Sequence, residues 1–138
     1  MIRTCNELTT NKIVSISENK RVFRINNSSL FSINRVEVDG CYITSGRKCD
    51  YLFEILDSDI VEVFYVELKG KHLEDAIEQL EETLKYCLGI HKNINRSCFI
   101  VASRVPKAST STQKMKKEFK RKHGVMLYID TKIKEVKV

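Results

Sequence analysis

Proline occurs once and glycine five times in 138 residues, which leaves little material for long disordered linkers. No apolar run approaches the ~18 residues needed to span a bilayer, so no membrane partner is expected. The five cysteines, Cys5, Cys41, Cys49, Cys87 and Cys98, are odd in number and include no C-x-x-C pair. The opening MIRTCNELTT also lacks the apolar core of a signal peptide. A reduced, intracellular, cytoplasmic protein is the expectation. The nearest approach to a zinc set is Cys87, His91 and Cys98, which lacks a second close pair of ligands, so no structural zinc is expected.

What is present suits one folded domain over residues 1–138. Hydrophobic residues make up 42% and charged residues 30%, and the length is enough to bury a core without staples. The formal charge is +6, but it is unevenly spread. Arg104, Lys107, Lys114, Lys116, Lys117, Lys120, Arg121 and Lys122 crowd one short segment in which Glu118 is the single acid. A basic block beside a nearly neutral remainder points to a polyanionic partner, although a solvated lysine-rich helix would look the same.

Residues 1–30 are hard to read, apart from a candidate strand at RVFRI (Arg21 to Ile25) and turn chemistry in NNSS. From residue 35 to about 130 the periodicities are clear. RVEVDGCYI, KCDYLFEIL and IVEVFYVELKG read as three strands joined by short turns, an antiparallel meander. In KCDYLFEIL the alternation puts Cys49, Tyr51, Phe53 and Ile55 on one face and Asp50, Leu52 and Glu54 on the other. Leu73, Ala76, Ile77, Leu80, Leu84 and Cys87 then form a helical stripe. SCFIVASRV is an unbroken apolar strand of the kind covered on both sides. QKMKKEFKRKHG predicts a second helix on the thin stripe of Met115 and Phe119, VMLYID a further strand, and KIKEVKV an added edge. The fold class expected is α/β: a mixed central sheet, made of the meander followed by α-β-α-β and flanked by helices.

The tripeptide E-x-K occurs four times: Glu18 to Lys20, Glu67 to Lys69, Glu118 to Lys120 and Glu135 to Lys137. The pattern by itself therefore decides nothing. Glu67 and Lys69 differ from the others in ending a strongly apolar strand, where residues two apart project from one side. Phe64, Val66 and Leu68 take the opposite side. A half-buried glutamate costs several kcal/mol unless it is paired or bound to a metal. Asp50 lies on the minority face of the preceding strand, and antiparallel pairing would bring it beside Glu67. Two carboxylates so placed repel unless a cation lies between them, and an all-oxygen set suits Mg²⁺ or Mn²⁺. A plain surface ion pair between Glu67 and Lys69 is the competing reading.

An aspartate in the second strand of a meander, sixteen intervening residues, then Glu67-Leu68-Lys69 and a helix resembles the PD-(D/E)XK nuclease superfamily, the restriction-endonuclease-like fold. The resemblance covers roughly residues 35–130. It implies Asp50, Glu67 and the Leu68 carbonyl as ligands of Mg²⁺ or Mn²⁺, with Lys69 assisting the attacking water. Gln79 resembles the glutamine that the phage-exonuclease and RecB-type branch carries on the following helix, with Thr83 standing where that branch has a tyrosine. Cys49 replaces the proline of the family's pattern. The family also has a helix before the meander that often bears another acid. The N-terminal segment shows no such helix, and Glu7 is its nearest candidate.

The function expected is a metal-dependent nuclease, an endonuclease type of phosphodiester hydrolase acting on nucleic acid, with DNA favoured. Lys114, Lys116, Lys117, Lys120 and Arg121 would grip phosphates. Site-specific cleavage would call for a homodimer or a partner subunit, because the chain carries no recognition domain. The alternative is a non-cleaving nucleic-acid-binding or protein-docking module on the same fold.

Overall fold

The computed structural model describes residues 1–68, 72–104 and 110–138. Their elements are β1 (Asn6–Thr9), β2 (Ile13–Glu18), β3 (Arg21–Asn26), β4 (Ser32–Glu37), β5 (Tyr51–Asp57), β6 (Asp59–Glu67), α1 (Leu73–Tyr86), β7 (Asn95–Ala102), α2 (Thr110–His123), β8 (Met126–Thr131) and β9 (Ile133–Lys137). The architecture is mixed α/β, with two helices among the described residues and two mixed sheets.

The larger sheet has the order β1-β4-β5-β6-β7-β8. β4, β5 and β6 form the expected antiparallel meander, but its first strand is Ser32–Glu37 and not Arg35 to Ile43: after Glu37 the chain turns back on itself, the Cys41 and Ile43 amides donating to the Val38 carbonyl. β6, β7 and β8 are parallel, and α1 and α2 provide the two crossovers. The turn between β5 and β6 is a single residue, Ser58, held in the left-handed region at φ 67, so Asp57 faces Asp59 directly.

Strict alternation sorts the side chains of this sheet. Leu52, Val63, Tyr65, Cys98 and Ile100 join Ala76, Leu80 and Leu84 of α1 and Phe119 of α2 in one cluster. Phe53, Ile55, Phe64, Val66 and Phe99 belong to a second cluster on the opposite face. Both helices therefore lie on one face, as two crossovers of one hand stepping in one direction require.

Three further expectations need correction. Helices do not flank both faces: β2, β3 and β9 form a second sheet in the order β2-β3-β9, and this sheet covers the face without helices. Phe23 of β3 lies 5.6 Å from the Phe53 ring and 4.9 Å from that of Phe99. The hard-to-read N-terminal segment thus supplies the apolar lid that the bare sheet face needs. KIKEVKV is a strand, but it does not extend the larger sheet. A left-handed residue, Lys132 (φ 66), turns the chain away after β8, and β9 pairs in parallel with β3. Cys49 sits with the helix-side cluster, because β5 begins only at Tyr51 and its pleat does not extend back that far.

A buried polar network ties the N-terminus and the loop after α1 to the sheet. Glu54 is fully buried. Its Oε1 accepts hydrogen bonds from the Ile2 amide at 2.9 Å and from Asn34 Nδ2 at 2.8 Å. Its Oε2 lies 2.7 Å from His91 Nε2, and the other ring nitrogen of His91 meets the Tyr65 hydroxyl. Desolvation pushes the Glu54 carboxyl upward, but the bonds from His91, Asn34 and Ile2 prevail and hold it below its ordinary 4.5. Its contribution to stability is therefore complete above that value and disappears as pH falls through the depressed folded value. His91→Ala should cost about 3–5 kcal/mol in urea unfolding at neutral pH. Glu54→Gln should flatten the loss of stability below pH 4.5, measured by unfolding midpoints across an acid series.

Candidate active site

Asp50 immediately precedes β5 and Glu67 is the last residue of β6. The ladder ends with Tyr51 paired to Val66, and the Asp50 amide still donates to the Val66 carbonyl at 3.2 Å, which keeps Asp50 beside the end of β6. Asp50 is 4% exposed and Glu67 0%. By the pleat of β6, Glu67 falls on the side of the sheet that carries Tyr65, the side covered by the helices; Asp50, like Cys49, lies outside the pleat of β5. The Leu68 amide donates to Asp50 Oδ2 at 2.8 Å, which draws the main chain after Glu67 onto the Asp50 carboxylate. Asp50, Glu67 and the backbone of Leu68 are thus brought together. Lys69 lies outside the described residues.

The Cys49 thiol registers both carboxylates. Burial is the main cause that pushes it well above its ordinary 9.0, and the charges of Glu67 and Asp50 add to the rise against a lowering bond from Thr83. A thiol in that setting stays protonated and is a poor nucleophile.

α1 holds the chain just before Asp50. Gln79 Nε2 donates to the Lys48 carbonyl at 3.2 Å. The Thr83 hydroxyl accepts from the Cys49 amide at 2.9 Å and donates to the Gln79 carbonyl at 2.9 Å. Gln79 therefore stands beside the site, and its amide nitrogen rests on main chain. The sequence reading noted Thr83 only as standing in place of a tyrosine; its contact with the Cys49 amide was not foreseen, although a polar residue on the stripe of Ala76, Leu80, Leu84 and Cys87 was a usable signal.

From the other side, the turn after β4 supports Asp50: the Val38 amide donates to the Asp50 carbonyl at 2.9 Å and the Asp39 amide at 3.4 Å. That turn is stapled. Cys41 is joined to Cys5 by a disulfide, and the free thiols Cys49, Cys87 and Cys98 are buried. The expectation of wholly reduced cysteines is corrected here. The odd number hid a pair 36 residues apart, and the cysteine argument for a reducing compartment goes with it. Among the described residues no helix is long and apolar enough to cross a membrane.

Glu7 lies on β1 and pairs with Arg35 at 2.7 Å. Among the described residues no group of three or more His, Cys, Asp and Glu side chains is placed to hold a metal ion. The donors that Asp50, Glu67 and the Leu68 carbonyl offer are hard oxygens, a set that fits Mg²⁺ or Mn²⁺ with water completing the shell.

On α2, Phe119 and Thr112 are buried and Met115 packs on the core. Lys114, Lys117, Lys120 and Arg121 face outward, and Lys116 is half-buried. Arg121 pairs with Glu118 and Lys122 with Glu81 at 3.2 Å. Arg104 is exposed after β7, and Lys107 lies outside the described residues. Comparison with protein-family models, with curated proteins and with solved structures finds no match.

The disulfide closes a loop of 36 residues, for which chain entropy gives about 3–4 kcal/mol. The double variant Cys5→Ser/Cys41→Ser is expected to lose stability of that order in denaturant unfolding, and the parent should lose it on adding dithiothreitol.

Proposed function

We propose that the protein is a metal-dependent nuclease that hydrolyses phosphodiester bonds, with DNA the favoured substrate, on a restriction-endonuclease-like core. The observation that supports this reading is that Asp50 and Glu67, both buried, lie just beyond the last β5–β6 pair, Tyr51 with Val66, and that the Leu68 amide donates to the Asp50 carboxylate. Close, desolvated carboxylates are costly as a pair of anions, and a divalent cation relieves that cost. Further support comes from the order of elements, meander-α-β-α-β, and from the basic outward face of α2.

In this reading Asp50, Glu67 and the Leu68 carbonyl hold Mg²⁺ or Mn²⁺. When bound, such an ion lowers the pKa of a coordinated water and steadies the charge that builds on phosphoryl oxygens. Lys69, two residues beyond Glu67 in sequence, supplies the amine that orients the attacking water and offsets phosphate charge. Lys114, Lys117 and Lys120 bind the nucleic-acid backbone without reading bases.

Plasmid and single-stranded DNA incubated with Mg²⁺ or Mn²⁺ should be cut by the parent. Glu67→Ala and Lys69→Ala should each slow cutting by about 100-fold or more. Cleavage unchanged in both variants would identify a contaminant and remove the proposal. Salt-sensitive binding without cleavage would leave the non-cleaving binding module as the function. The α2 face is tested separately, by replacing Lys114, Lys117 and Lys120 with Ala. The slope of log affinity against log salt should flatten by about 0.7–0.9 for each phosphate no longer neutralised, read by fluorescence anisotropy of a labelled oligonucleotide.

A further inference from the structure

Asp50 lies one residue outside β5, and Cys49 before it has no place in the strand ladder. We infer that Thr83 is a positioning residue that sets the Asp50 carboxylate for metal binding by fixing the peptide through which the chain reaches it. This inference rests on the metal-site reading above. Thr83 is fully buried. Its hydroxyl donates to the Gln79 carbonyl at 2.9 Å, and its oxygen accepts from the Cys49 amide, also at 2.9 Å.

The bonds of the Asp50 amide to Val66, of its carbonyl to Val38, and of its carboxylate to Leu68 all involve atoms of Asp50 itself. The Thr83 bond instead holds the preceding residue, and so restrains the direction from which the chain arrives. Valine at position 83 would keep the shape, remove the acceptor and leave a buried donor unsatisfied. The peptide would be free to turn toward another acceptor, and Asp50 would turn with it.

A role confined to stability would leave metal affinity untouched, and that separates the two cases. Mn²⁺ binding is titrated by calorimetry and by the electron paramagnetic resonance signal of the free ion, for the parent, Thr83→Val, Thr83→Ser and Asn27→Ala. Asn27 holds the turn between β3 and β4 through bonds to Asn11 and Phe31, at the end of the sheet away from Asp50, and controls for lost stability alone. Thr83→Val is expected to weaken Mn²⁺ binding about 10-fold or more, Thr83→Ser to restore the parent's affinity to within about twofold, and Asn27→Ala to leave it unchanged. Parent-like affinity in Thr83→Val, or an equal loss in Asn27→Ala, overturns the inference. A parent that binds no Mn²⁺ removes the metal-site reading itself. Should Thr83→Val fail to fold, amide hydrogen exchange of the parent decides: the Cys49 amide is expected to be as protected as that of Asp50, and rapid exchange there overturns the inference.

Discussion

The pairing of β5 with β6 fixes the position of nearly everything else in the molecule. The turn of one residue, Ser58, sets the register only as far as Leu56; a shift of one residue between Ile55 and Leu56 then gives the register that puts Phe53 and Phe64 on one side and Leu52 and Tyr65 on the other. A slip of one residue would exchange the two faces. The aromatic layer under the second sheet would then point at the helices, and the acids Glu54 and Glu67 would point into the phenylalanine cluster. The two hydrophobic clusters therefore fix the ends of β5 and β6 at which Asp50 and Glu67 lie.

The acids on this strand pair are managed in different ways. Glu54, four residues beyond Asp50, is enclosed by an amide, an asparagine and a histidine. That set of donors commits its charge to holding the N-terminus and the loop after α1, and leaves it unsuited to binding a ligand. Asp50 and Glu67 stand at the end of the ladder, where the regular pairing stops and the chain leaves toward α1. Charged groups kept at the margin of a sheet, with main chain gathered on them, are where folding stability is commonly exchanged for function.

How much of this could be read in advance follows from where periodicity is strong. The meander, both helices, β7 and β8 announced themselves because each buries a continuous stripe. Of the N-terminal strands only β3, read as RVFRI, did so. β1 is exposed along nearly its whole length, and β2 alternates apolar with serine, a pattern easily taken for polar coil. Asp50 and Glu67 were singled out because strand alternation is a local rule. The partners of Glu54 were hidden, since His91 lies 37 residues away in a loop without period. The disulfide was hidden for a similar reason, with no cysteine spacing to announce it. Thr83 was visible as a polar residue in an apolar stripe, but its meaning depended on knowing which main chain lay against it.

The contacts between the chain before β5 and α1 have an internal order. Arg47 reaches Asp75 at 3.2 Å and Glu78 at 3.4 Å, the Lys48 carbonyl receives Gln79, and the Cys49 amide meets Thr83. Successive residues of the loop thus meet successive turns of the helix, and each contact is more buried than the one before. The Arg47 pairs are half-exposed and contribute at most about 1 kcal/mol each. The Gln79 bond is partly screened, whereas the Thr83 bond is sealed from water, where an unmade partner costs about 1–3 kcal/mol. The stabilisation rises toward Asp50 along the loop. The innermost contact is the one that holds the Cys49 peptide, the last before Asp50, which is why the inferred positioning of the Asp50 carboxylate is assigned to Thr83 and not to Arg47 or Gln79.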